Sequence, residues 1–209
     1  MKNSKWVFLI GFAFALSAVS SAQDFPKVEV AGGYSYLHFY TNLPAVPNQN
    51  LNGGGGSFVY NIVEWLGIRA DFIDYTFGSG YSTTLHNLGY TGSASANLFT
   101  YQFGAQMKRH KGKYQPYWEN LYGVAHSSGY ASALKAKGDG TYILISGSGA
   151  SNSFAMQIGG GLDIALSKTV QIRPVELDYQ LTRFGYKTYS ANQNNFKYFG
   201  GINFTLGGK

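Results

Sequence analysis

Residues 97–108 read NLFTYQFGAQMK, with Phe99, Tyr101, Phe103, Ala105 and Met107 on one parity and Thr100, Gln102, Gly104 and Gln106 on the other. A period of two puts these sets on opposite faces of a strand. The same alternation recurs and predicts eight strands, at about residues 27–40, 53–60, 66–75, 97–108, 114–126, 153–164, 169–184 and 196–206. In the first, Val28, Val30, Gly32, Tyr34 and Tyr36 share a face; in the third, Leu66, Ile68, Ala70 and Phe72 oppose Arg69 and Asp71. The fifth sets Trp118, Tyr122 and Val124 against Glu119, and the sixth sets Phe154, Met156, Ile158, Leu162 and Ile164 against Gln157, Gly159, Gly161 and Asp163. The last sets Phe196, Tyr198, Ile202, Phe204 and Leu206 against Lys197, Asn203 and Thr205.

The seventh strand changes phase. Val170 and Ile172 share one parity, whereas Val175, Leu177, Tyr179 and Leu181 share the other. Proline inside a sheet is confined mainly to bulges and edges, so the slip at Arg173-Pro174 predicts a β-bulge. With the bulge, Gln171, Arg173, Glu176, Asp178 and Gln180 all face one side.

The connections alternate in length. Residues 41–52, 76–93, 127–152 and 184–195 are long; residues 61–65, 109–113 and 165–168 are short. Short turns at one end and long loops at the other are the signature of an up-and-down bacterial membrane barrel. The expected fold class is therefore all-β, an eight-stranded antiparallel up-and-down transmembrane β-barrel.

Composition bears on which face meets water. Charged residues are 12% of the 209-residue chain, about half the roughly 25% of ordinary soluble proteins. A soluble exterior carries roughly 25–35% charged residues, and the polar parities here are mostly Gly, Ser, Thr, Asn and Gln. The apolar parities avoid charge, as a lipid-facing surface must. The polar parities then become the interior, where Arg69, Asp71, Glu119, Asp163, Arg173, Glu176 and Asp178 fall. Five acids against two arginines leave a deficit for Lys197 or bound water to fill. A secreted soluble β-barrel binding a lipid-like ligand is the alternative, with the faces reversed.

Residues 1–22 have the form of a signal peptide: Lys2 and Lys5, the apolar run 6–19, and Ser20-Ser21-Ala22 before the expected cleavage site. The barrel domain is then 23–209, in the bacterial outer membrane. Without cysteine there is no disulfide framework. The formal charge of +6 falls to about +4 once the two lysines of the leader are removed, too little and too scattered to indicate nucleic acid.

Gly32-Gly33-Tyr34-Ser35-Tyr36, Tyr60-Asn61 with Trp65-Leu66-Gly67, Ile172-Arg173-Pro174-Val175 leading to Tyr179 and Thr182-Arg183-Phe184, and Gly201-Ile202-Asn203-Phe204-Thr205-Leu206 occur in that order. In these stretches the chain resembles the eight-stranded outer-membrane β-barrels of the OmpA and OmpX type. The resemblance covers nearly all of the expected mature chain. It implies a non-enzymatic scaffold with roles in envelope integrity or adhesion, external loops as the contact surface, and outer-membrane lipids as surroundings. It also implies that Gly201, Phe204 and Leu206 form a signal for the barrel-assembly machinery. Gly207-Gly208-Lys209 departs from the family's aromatic ending, and the family's separate peptidoglycan-binding domain is not expected.

Neither cofactor nor metal is expected: His38, His86, His110 and His126 lack metal-ligand spacing. One catalytic alternative is an outer-membrane lipid A deacylase-like enzyme, which such barrels resemble in architecture. His126 and Ser128 share a parity, so the imidazole could activate the hydroxyl, with Asp139 as the acid in the same loop. The run Lys108-Arg109-His110-Lys111-Gly112-Lys113 reads as a solvated periplasmic turn. Loop 127–152 is the best candidate contact surface, with Lys135 and Lys137 toward lipopolysaccharide phosphates or another cell-surface ligand.

Overall fold

The structure, a computed structural model, describes residues 25–40, 48–77, 90–136, 142–186, 189–190 and 192–208. The expected signal peptide, 1–22, lies outside the described residues. The strands are β1 (Val28–Phe39), β2 (Gln49–Val63), β3 (Leu66–Phe77), β4 (Tyr90–Lys108), β5 (Tyr114–Ala136), β6 (Tyr142–Ala165), β7 (Val170–Thr182), β8 (Gly185–Tyr186), β9 (Tyr189–Ser190) and β10 (Gln193–Leu206). β1 to β7 and β10 close into one barrel in the order β1-β10-β7-β6-β5-β4-β3-β2, each pair antiparallel. β8 and β9 pair with each other as a small separate hairpin.

Alternation sets the two surfaces. Phe103, Phe99 and Met107 project outward and are exposed, whereas Gln102 and Gln106 are enclosed. Within the closed part of the barrel every strand is paired on both sides, as hydrocarbon requires. At the short-turn end the outer surface carries Tyr60, Trp65, Tyr114 and Trp118, an aromatic girdle of the kind membrane barrels place at the interface. Toward the other end the outward tyrosines have hydrogen-bond partners: Tyr34 donates to Asn52 Oδ1 (2.5 Å), Tyr36 to Asn50 Oδ1 (2.8 Å) and Tyr179 to Asn194 Oδ1 (2.6 Å). An exterior of exposed aromatic and aliphatic side chains around a charged interior is inconsistent with a soluble barrel.

The bulge lies where the phase slip put it. Between β6 and β7 the register shifts between Leu162/Val175 and Ile164/Ile172, and between β10 and β7 it shifts between Phe199/Glu176 and Gly201/Arg173. Arg173 before the bulge and Glu176, Asp178 and Gln180 after it are all buried inside.

Where β1 meets β10 and β2, backbones approach closely. Gly33 pairs with Gly201 on one side and Gly55 on the other. A methyl group added at Gly33 would sit 2.2 Å from the Gly200 carbonyl oxygen, and one added at Gly201 2.2 Å from that of Gly32. The strand pair that closes the barrel therefore depends on glycine.

Three expectations are corrected. The 127–152 segment is mostly not a loop: β5 continues to Ala136 and β6 starts at Tyr142, paired from Ser127/Ser151 to Ala136/Tyr142. β4 begins at Tyr90 within the expected 76–93 loop, β2 begins at Gln49, and β7 ends at Thr182. These extensions are rich in Ser, Gly, Ala and Asn, and beyond the bilayer no lipid enforces an apolar parity that would mark them. Finally, the interior is not polar throughout, as the next section describes.

Candidate functional site

An eight-stranded barrel has an interior just wide enough for side chains to fill. Here the filling is layered. Nearest the short turns, Lys108 Nζ donates to Glu29 Oε2 (2.5 Å), Asp163 Oδ2 (2.6 Å) and Gln171 Oε1 (2.9 Å). Asn203 donates to the same two carboxylates, at 2.7 Å to Glu29 and 3.0 Å to Asp163. His110 folds back from the β4–β5 turn, with Nε2 2.7 Å from Glu29 Oε1 and Nδ1 against the Glu64 carbonyl. Lys108 and His110 thus correct the reading of 108–113 as a wholly solvated turn. Both side chains are enclosed at the barrel's end. Gly112 makes the tight turn possible by adopting φ of 83°.

The middle layer is centred on Glu176. Its Oε2 accepts from Arg69 Nη2 (2.9 Å), Arg173 Nη1 (3.0 Å) and the Tyr117 hydroxyl, and its Oε1 accepts from Lys197 Nζ (3.0 Å). Arg69 also pairs with Asp71 Oδ1 (2.9 Å) and with Glu119. Lys197 reaches Asp71 (3.0 Å) and Asp178 (3.2 Å), and Arg173 grips Asp163 through Nε (2.8 Å) and Nη2 (3.0 Å). The Arg173 guanidinium stacks 4.5 Å from the Tyr117 ring centroid, a cation–π contact that is strengthened when desolvated.

All seven charged positions read from parity therefore lie inside and are joined in one network. Sequence reasoning missed Glu29, Lys108 and His110, which connect that network to the short-turn end. Glu29 had a usable signal, since it alternates with Val28 and Val30. The roles of Lys108 and His110 had none, because both lie where a strand runs into a turn. Lys108 and Lys197 join the two arginines, so four cations face six carboxylates once Glu29 is included, with His110, Asn203 and Tyr117 supplying further hydrogen bonds. Oxygens of Asp71, Glu119 and Glu176 lie within 4.8 Å of one another, and the cation between them is the Arg69 guanidinium, which bonds all three.

Above the charges the interior turns apolar. Leu37, Leu51, Ile73, Tyr75, Leu98 and Phe199 are each 2% exposed or less and pack with Phe39, Phe77, Ala125 and Ala155. The one hydroxyl of this plug, on Tyr75, lies 2.9 Å from Ser35 Oγ. The interior is thus packed with charges nearer the short turns and with an apolar cluster beyond them, followed at the opposite end by buried Gln49, Thr182, Gln193 and Asn195.

Outside the barrel, β4, β5 and β6 continue as a three-stranded tongue. Its outward face carries a shallow recess of about 500 Å³ bordered by Ser95, Asn97, Ser128, Tyr130, Ser148 and Ala150. Tyr130 there is half exposed. His126 and Ser128 both lie on this face, and the partner of His126 Nδ1 is Asn152 Oδ1 at 2.6 Å, an amide and not a carboxylate. Lys135 belongs to β5; Lys137 and Asp139 lie outside the described residues. Gly201, Phe204 and Leu206 occupy β10, with Phe204 exposed on the outer surface.

No protein-family model matches the chain, and no curated protein matches it in sequence. Among solved structures it is similar to Ail, the attachment invasion locus protein of Yersinia pestis, with a TM-score of 0.58 and 14% identity over 87% of this chain and 99% of that one. A structure of the same protein with the heparin analogue sucrose octasulfate gives 0.51 and 13%, over 86% and 97%. Neisserial surface protein A gives 0.49 and 13%, over 88% and 100%. At this identity the likeness concerns the fold, which is the eight-stranded barrel of outer-membrane proteins.

Proposed function

We propose that the chain is a non-enzymatic scaffold of the outer membrane that presents the β4–β5–β6 tongue as an adhesion-type contact surface. The observation that carries this reading is the tongue itself. On β5, polar outward side chains begin at His126, and the paired strands run on for ten residues, Ser127 to Ala136. At about 3.4 Å per residue that is on the order of 30 Å of ordered sheet beyond the lipid-facing belt. Its recess joins hydroxyl and amide groups to an exposed tyrosine, the mixture suited to a surface saccharide or a protein loop. Lys135 and Lys137 would add charge toward lipopolysaccharide phosphates. One similar barrel, Ail, is known with a heparin analogue bound, which supports a saccharide-type ligand for this surface.

The barrel body supports the same reading: among the described residues its interior charges are mutually paired and an apolar cluster packs beyond them. The deacylase reading draws no support from the His126 environment, where an amide occupies the place of an orienting acid. Export through residues 1–22 and recognition of Gly201, Phe204 and Leu206 by the barrel-assembly machinery complete the proposal.

The test is to delete residues 131–147 and rejoin Tyr130 to Ser148, which are directly paired, through a two-residue Asn-Gly turn. The barrel should still assemble, as shown by a gel mobility that changes on boiling, while binding of cells to immobilised lipopolysaccharide or host surface falls. Because the recess borders Tyr130 and Ser148, the deletion is combined with Tyr130→Ala; an assembled variant of this kind that adheres as well as the parent overturns the contact-surface reading, and loss of assembly overturns the separation of scaffold from tongue.

A further inference from the structure

The short-turn end sorts its charges by sign. The acids nearest to it, Glu29 and Asp163, are enclosed and bonded to Lys108. The cations of the turns stay outside: Arg109, Lys111, Lys113 and Lys168 are exposed, and Lys27 is half-buried. Glu64, in the β2–β3 turn, is taken by Lys111 at 2.9 Å. Among the described residues no ion pair involves Lys27, Arg109, Lys113 or Lys168. Lys27 instead holds its ammonium 4.9 Å from the Phe25 ring centroid and 5.9 Å from that of Tyr60.

The three turns lie side by side. Lys108 N donates to the Trp65 carbonyl (3.0 Å) and ties the β2–β3 turn to the β4–β5 turn; Ala165 N donates to the Lys113 carbonyl (2.9 Å) and ties β4–β5 to β6–β7. The cations therefore form an arc rather than isolated points. Each turn also carries a large side chain that suits lipid: Trp65, Tyr114 and Leu166 are between 58% and 62% exposed. Lys113 directly precedes Tyr114, and Lys168 is two residues after Leu166. Trp and Tyr settle where hydrocarbon gives way to headgroups. Cations beside them, on long flexible stems, stand at the level of the lipid phosphates. A hydrated glycan would answer the charge but leave Trp65 and Leu166 in water; a phospholipid answers both.

We propose that the arc formed by the β2–β3, β4–β5 and β6–β7 turns is a binding surface for anionic phospholipid. It gathers lipids whose phosphodiester headgroup carries a net negative charge around this end of the barrel, in preference to zwitterionic ones. The tongue has no part in it.

Trp118→Phe leaves Trp65, within the arc, as the sole tryptophan of the expected mature chain. That protein would be folded into vesicles mixing phosphatidylglycerol with phosphatidylcholine, first with one lipid and then with the other brominated high on its acyl chain. The ratio of quenching at equal mole fraction gives the relative affinity of the two lipids at Trp65. Phosphatidylglycerol should be favoured by about threefold or more. The preference should fall close to parity when Arg109→Gln, Lys113→Gln and Lys168→Gln are combined. It should also collapse in about 1 M salt, where screening acts over ~3 Å; that measurement needs no charge variant and serves if the triple variant fails to assemble, which heat-dependent gel mobility reads. Equal quenching by the two lipids in the Trp118→Phe protein overturns the proposal and would leave the cations to a soluble partner. So does a full preference that survives in the folded triple variant or in high salt.

Discussion

Glu176 is the side chain on which the interior most depends. Three cations and a tyrosine hydroxyl converge on its two oxygens, all of them out of water. Removing one partner from a buried ionic group leaves charge uncompensated and costs about 3–5 kcal/mol. Glu176→Leu should therefore lower the unfolding free energy by that order, measured by urea titration in detergent micelles or thin bilayers. Replacing an exposed polar residue such as Lys111, whose contact with Glu64 is open to solvent, should change it by less than about 1 kcal/mol. If both substitutions cost the same, the network is not what stabilises the barrel.

Among the strands, β1 and β10 carry the closure step, because they join the two ends of the sheet. Their contact at Gly33 and Gly201 leaves no room for a side chain against the opposing backbone. Gly33→Val should force the strands apart and slow or prevent closure, seen as a lasting fraction that migrates as unfolded protein without boiling. Gly112→Ala is an instructive comparison. Nothing lies within 4 Å of a methyl group there, so only the positive φ resists it, and closure should proceed. Tyr198 shows a different use of glycine: its ring covers Gly200, and its hydroxyl donates to the Pro174 carbonyl at 2.8 Å, bracing the bulge.

The barrel taken as one object is an inverted globule, with its charges enclosed and its rings outside. That inversion can be measured. In the expected mature chain the tryptophans are Trp65 and Trp118, and they are 58% and 47% exposed on the outer surface. In vesicles, lipids brominated along the acyl chain should quench this emission strongly, whereas aqueous iodide should have little effect. The opposite result would require the faces to be exchanged. Layering within the barrel also assigns tasks along its axis. The ion network holds the end nearer the short turns together, the apolar cluster packs beyond it, and the tongue is the surface proposed to meet partners.

Much of this was legible in the chain because it depends on neighbours in sequence. The number of barrel strands, the bulge at Arg173-Pro174 and the inward parity of Arg69, Glu119 and Glu176 follow from a period of two and the stiffness of proline. What the interior charges bind was not legible, because partners such as Lys197 and Asp71 are 126 residues apart and meet only through strand stagger and closure. The same holds for Lys108 and His110, whose places are set by how a turn folds over the barrel's mouth. The tongue was hidden for another reason: in water, backbone pairing extends a sheet without needing greasy side chains, so Ser, Gly and Ala gave no periodic mark. Local patterning by itself determined which side of each strand faces lipid. Only the closed tertiary structure decided which groups face one another, since that depends on register around the barrel and not on any single segment.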